Sequence, residues 1–161
     1  MRVIKKRMDK ETGAVVPRNI NLVGAITANI YMLLIIEVFI ARIFGWLEIG
    51  RWLGIISTLI LIPLVYLFIV GIRTGQRKIY FAWLALMVLF ATFELIVDHI
   101  LRIDFRSVQW AVIPYVMFFF AATGGMIGMA AQAGKAWSIV TSIVFLIMAA
   151  LAFVQRGITG L

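Results

Sequence analysis

Polar residues divide this chain into blocks. After a polar, basic stretch over residues 1–18, apolar residues run almost unbroken through 22–44, 52–72, 80–101, 110–131 and 137–154. Each run holds 18 to 23 residues, enough for a helix rising 1.5 Å per residue to cross a hydrocarbon core of roughly 30 Å. Helices are the predicted element, because an open strand in lipid leaves its backbone polar groups unpaired. The breaks carry charges and turn formers: Glu48-Ile49-Gly50-Arg51, Arg73-Thr74-Gly75-Gln76-Arg77-Lys78, Arg102-Ile103-Asp104-Phe105-Arg106 and Gln132-Ala133-Gly134-Lys135. Connections this short make successive helices antiparallel neighbours. Pro63 and Pro114 are expected to break the second and fourth runs and to free backbone carbonyls. The five tryptophans, Trp46, Trp52, Trp83, Trp110 and Trp137, mostly fall near the ends of runs, where an amphipathic ring is favoured at the membrane interface.

The predicted fold class is therefore all-α: a polytopic integral membrane bundle of five transmembrane helices over 22–161, preceded by a basic cytoplasmic segment over 1–21. Three readings of that segment stay open. Val3-Ile4 and Ala14-Val15-Val16 around Gly13 suit a short hairpin, but the stretch could equally be disordered or lie flat on the membrane. The first apolar run is too long for the core of a signal peptide and lacks an Ala-x-Ala end, so it reads as a retained span.

Composition strengthens the membrane reading. The chain is 64% hydrophobic with a mean hydropathy of +1.08, against about 45–50% apolar residues in soluble domains. The net charge of +8 does not point to nucleic acid, because six of the fifteen basic residues lie in residues 2–18 and most others sit between apolar runs. Such residues suit the lipid bilayer as partner, with anionic headgroups at the basic N-terminus. Ten of the fifteen fall on the same side as the N-terminus, which predicts a cytoplasmic N-terminus and an external C-terminus in a plasma (inner) membrane. With no cysteine, disulfide and thiolate chemistry are excluded.

The candidate chemistry lies in polar residues within the runs, since an ionisable group at bilayer depth needs a partner, a hydrated cavity or a role. Glu37 in the first run and Glu94 in the third are predicted at similar depth in the outer half. Glu94, Asp98 and Arg102 are spaced i, i+4, i+8, which places them on one helical face with His99 beside it. Tyr115 adds a polar group at the same end. One reading is an outward-facing polar pocket with Glu37 and Glu94 as its deep acids, binding or transporting a small molecule or ion, with a possible link to protons. The plainer reading has Asp98 pairing with Arg102, His99 among the headgroups and Glu37 bonding a neighbouring helix. In the fourth run, Ala121-x-x-x-Gly125 and Gly124-x-x-x-Gly128 permit close helix approach, within one subunit or in a homo-oligomer.

Signatures of catalysis are missing: no His-Glu-x-x-His, Gly-x-Ser-x-Gly or glycine-rich phosphate loop occurs. One histidine and one helix offer too few converging ligands for haem or a metal, so no cofactor and no metal are expected. Two alternatives to the binding reading stay open: a non-catalytic subunit or scaffold packed against a partner membrane protein, and a lipid-modifying enzyme using Glu94, Asp98 and His99. Val112-Ile113-Pro114-Tyr115 and Ala121-Ala122-Thr123-Gly124 faintly resemble the last span of the tryptophan-rich sensory/translocator protein family. Here they occupy the fourth run, and that family's Trp-x-Pro-Pro loop is missing, so no assignment follows.

Overall fold

The computed structural model describes residues 18–101 and 109–159, and they are helical almost throughout. Residues 1–17 of the basic N-terminal segment and the connection over 102–108 lie outside the described residues, while 18–21 belong to the first helix. The elements are α1 (Arg18–Ile43), α2 (Leu47–Thr58), α3 (Leu61–Arg73), α4 (Lys78–Glu94), a π-helix (Leu95–Ile100), α5 (Gln109–Ala133) and α6 (Lys135–Thr159). Five stretches are long and apolar enough to cross a membrane, with α2 and α3 together forming the second and α4 with the π-helix the third. The number and order match the five runs expected; the first helix starts at 18 and the last ends at 159, beyond the expected 22 and 154, and one connection is displaced.

The displaced boundary is the first connection. Glu48-Ile49-Gly50-Arg51, expected as a loop, is the first turn and a half of α2. The turn lies instead at 44–46. Gly45 adopts φ +72°, a left-handed conformation open to glycine at little cost. The Gly45 amide donates to the Arg42 carbonyl at 3.2 Å and the Trp46 amide to the Ala41 carbonyl at 2.8 Å. This paired closure satisfies the last carbonyls of α1. Gly75, at φ +64°, ends α3 identically, through Gly75 to Ile72 at 3.3 Å and Gln76 to Gly71 at 3.1 Å.

The two prolines behave differently. Pro63 lacks the N–H that would bond the Leu59 carbonyl, and its ring crowds that carbonyl. The second span accordingly breaks at 59–60. Ser57 and Thr58 reinforce the bend by donating their hydroxyls to the Gly54 and Ile55 carbonyls at 2.6 and 2.7 Å. Pro114, expected to break its span too, lies inside an uninterrupted α5. It falls in the second turn, where only the Trp110 carbonyl loses its partner.

Helix α1 is central. It packs against α2, α3, α5 and α6, while successive spans also pack on one another. Of its apolar window 56% is buried, against 11% for α6. The core forms where α1 (Ala28, Tyr31, Met32), α4 (Leu84, Met87, Phe90) and α5 (Ala122, Met126, Met129) meet. The close approach of α4 and α5 depends on glycine. A Cβ on Gly128 would stand 2.5 Å from Trp83 Cε2, and one on Gly125 would stand 3.3 Å from the Trp83 carbonyl oxygen. Trp83, expected as an interfacial anchor, is therefore a half-buried packing residue. Ala121 and Gly124 are exposed, and a Cβ on Gly124 meets nothing within 4 Å.

Candidate functional site

Near the end of the bundle where α1 ends and α5 begins, Glu94 is held by two phenols. The Tyr115 hydroxyl donates to Glu94 Oε1 at 2.9 Å and the Tyr31 hydroxyl to Oε2 at 3.2 Å. The first lies within ordinary O–H···O range and the second just beyond it, so Tyr115 is the stronger donor. Tyr31 is only 1% exposed. It is delivered by the face of α1 that also buries Ala28, Met32 and Ile35, whose spacing follows the helical repeat. Sequence reasoning passed over Tyr31. The available signal was a tyrosine inside an apolar run, because a buried hydroxyl needs a partner.

Aromatic rings pack around Tyr115, the stronger donor, and Glu94 itself is half-buried. Phe90 stacks edge-on against Phe118 and Phe119 at 5.4 and 5.7 Å, and Phe93 lies 6.2 Å from the Tyr115 ring. One turn further along, Asp98 Oδ2 stands 3.6 Å from Arg42 Nη2, with the two side chains 13% and 28% exposed. Charge-assisted hydrogen bonds are shorter, about 2.7–2.9 Å, so this is an ion pair of looser geometry. Its acid comes from the π-helix, where the Leu101 amide donates back five residues to the Ile96 carbonyl at 2.8 Å. The wide turn replaces the regular i, i+4 helix expected through Asp98. Asp98 meets a base on α1 here, where Arg102 was the expected partner. Arg102 itself, and the side chain of His99, lie outside the described residues.

A cleft of about 250 Å³ opens beside this cluster between the C-terminal half of α1, the N-terminal half of α5 and the C-terminal end of α6. Phenylalanines dominate its wall, with Arg42, Gln155 and Arg156 among the polar groups. Tyr115 belongs to both features, since its ring lines the cleft and its hydroxyl bonds Glu94. Of the residues expected around one pocket, Glu94 and Tyr115 are brought together and Asp98 lies next to them. Glu37 is set apart: it is exposed, on the stripe of α1 that carries Ile26, Ile30 and Leu33. The cleft is lined by neither glutamate. Rotation of α1 that turns Tyr31 inward turns Glu37, about 120° away at 100° per residue, toward the surface.

Chemically, the cluster is a half-buried carboxylate held by two phenols, one of which, Tyr115, also lines an open cleft. Among the described residues no three His, Asp or Glu side chains converge as a metal site would need. The serines bond backbone: Ser57 as above, and Ser142 to the Ser138 carbonyl at 2.8 Å. No protein-family model, curated protein or solved structure matches the chain, so the functional reading is carried by these residues alone.

Proposed function

We propose that this is a multi-pass integral membrane protein of a plasma (inner) membrane that binds or transports a small molecule through the cleft between α1, α5 and α6. The observation that carries this reading is the position of Tyr115, one residue shared by an open cleft and a half-buried carboxylate. A ligand that moves the Tyr115 ring disturbs the stronger hydrogen bond to Glu94, which links occupancy of the cleft to the protonation of an acid. Glu94 and Tyr115 act in that link, and Asp98 and Arg42 flank it.

A small neutral diazirine photoprobe tests the cleft in lipid nanodiscs. Its adducts should concentrate on residues 112–120 of α5 and fall sharply in Ala152→Trp, whose indole fills the space. Adducts spread evenly over the exposed faces of α3 and α6, and indifferent to Ala152→Trp, would overturn the reading. Orientation is tested separately. The basic bias places the N-terminus in the cytoplasm and the C-terminus outside, so reporter fusions after Gly75 and after Leu161 should give opposite signals. Identical signals would show that the chain crosses the membrane an even number of times between those points.

A second reading, as a subunit of a membrane complex, is favoured by Glu37. None of the hydrogen bonds or ion pairs among the described residues involves it, although it sits on an exposed apolar stripe. A carboxylate at such a depth is costly unless a donor from another chain reaches it. Glu37→Leu should then leave the protein folded but release a co-purifying partner or a second copy. Unchanged assembly size for this variant would remove the support for a complex.

A further inference from the structure

The cleft has a sidedness that restricts what enters it. Phe39, Phe119, Phe120 and Phe153 line its body, whereas Arg42 and Arg156 stand near the C-terminal ends of α1 and α6, at one end of the bundle. We propose that the cleft is a binding site for an anionic phospholipid: one acyl chain lies along the phenylalanines and the headgroup phosphate is held by Arg42 and Arg156. The proposal rests on the reading of the cleft as a ligand site and names the chemical class that the site takes.

Three physical arguments support this class. The first is size. A dry apolar cavity of about 150 Å³ accommodates benzene, whereas sites that enclose a whole drug-sized ligand occupy roughly 300–1,000 Å³. At about 250 Å³ the cleft takes one segment of a larger molecule, with the remainder outside, and a single acyl chain of a lipid meets that condition. The second is polarity. A free inorganic anion leaves the phenylalanine wall without a partner, and a cationic amphiphile would bring like charge against two guanidiniums. The third is donor capacity. Arg42 already faces Asp98 at 3.6 Å, but a guanidinium has five N–H donors and can serve a carboxylate and a phosphate together. Arg156 is exposed at the rim, where a headgroup reaches it without burial.

The experiment compares two photolipids in phosphatidylcholine nanodiscs containing the full chain: phosphatidylglycerol and phosphatidylcholine bearing the same diazirine-tagged acyl chain. Phosphatidylglycerol should label α5 and α6 at the cleft several-fold more than phosphatidylcholine. Arg156→Gln should lower that preference about fivefold, the worth of one basic side chain at an anionic surface. Ala152→Trp should suppress cleft labelling by both lipids. Millimolar inorganic phosphate should leave the phosphatidylglycerol signal unchanged, and displacement by it would overturn the assignment, because the headgroup alone would then suffice. Equal labelling by the two lipids that is still lost in Ala152→Trp also overturns the anionic assignment, while leaving the ligand cleft standing. Labelling that never responds to Ala152→Trp removes both the assignment and the cleft. Arg42→Lys, which keeps a cation beside Asp98, provides a second variant should Arg156→Gln fold poorly.

Discussion

Gly128→Leu should separate α4 from α5, whereas Gly124→Leu, one turn away on the same helix, should leave the folded monomer intact. The two glycines belong to one small-residue motif but face different surroundings. At Gly128 even a Cβ would stand 2.5 Å from the Trp83 indole, and the ring cannot simply retreat because Gly125 abuts the backbone of the same residue. Overpacking of this kind typically costs about 1–3 kcal/mol, and leucine, extending three carbons beyond Cβ, should reach the upper end. Thermal unfolding in detergent would show it as a lowered midpoint. Trp83→Ala introduced beside Gly128→Leu should recover part of the loss, since it vacates the space that leucine needs. Equal destabilisation by the Gly124 and Gly128 variants, or no recovery with Trp83→Ala, would contradict the packing described. If Gly124→Leu dissolves an oligomer while the monomer stays folded, the exposed face with Ala121 lies between subunits.

At Glu94, removing the acceptor should cost more than weakening it. Glu94→Leu leaves the Tyr31 hydroxyl, in a residue 1% exposed, without its acceptor, and an unsatisfied buried donor costs about 1–3 kcal/mol. Tyr115 contributes less, because it is half-buried where Tyr31 is almost fully enclosed. Glu94→Gln keeps one carbonyl oxygen for one phenol, so its cost should fall well below that of leucine. Adding Tyr31→Phe to Glu94→Leu should restore stability, since both halves of the bond are then gone. A double variant no more stable than Glu94→Leu would mean that the phenol–carboxylate bond contributes little. The functional consequence is separable from the structural one. Glu94→Gln should remain folded and still take up the neutral photoprobe, but the pH dependence of that uptake should disappear. Adding Glu37→Gln should change nothing further, because the two acids occupy different faces; a strong coupling between them would return both to one pocket.

Much of this architecture is legible residue by residue. A run of about 20 apolar residues is a local property that favours one continuous helix, so the five helices long and apolar enough to cross a membrane follow from composition along the chain. Turn chemistry is local too, yet the charges Glu48 and Arg51 point to the wrong place for the first turn. Its true signal is Gly45, and a glutamate in the first turn of α2 complements the helix dipole without interrupting the helix. Pro63 and Pro114 show the limit of a residue-level rule. The same ring breaks one helix, where the Ile62 amide takes up the Leu59 carbonyl at 3.1 Å, and passes through another near its start.

The partners of the acids are a different matter. Glu94 with Tyr31 and Tyr115, and Asp98 with Arg42, join residues far apart in the chain, and each pair depends on how its helices are rotated about their axes. Helices α1, α4 and α5 are apolar nearly all the way round, so no amphipathic face announces which side turns inward. Contacts between helices decide it: Trp83 seated on Gly125 and Gly128 fixes α4 against α5, and the π-turn re-aims Asp98 toward α1. The sequence alone thus determined that the acids lie within apolar spans. That Glu94 faces the bundle and Glu37 its surface was decided by packing, because in a uniformly apolar helix only neighbouring helices distinguish one face from another.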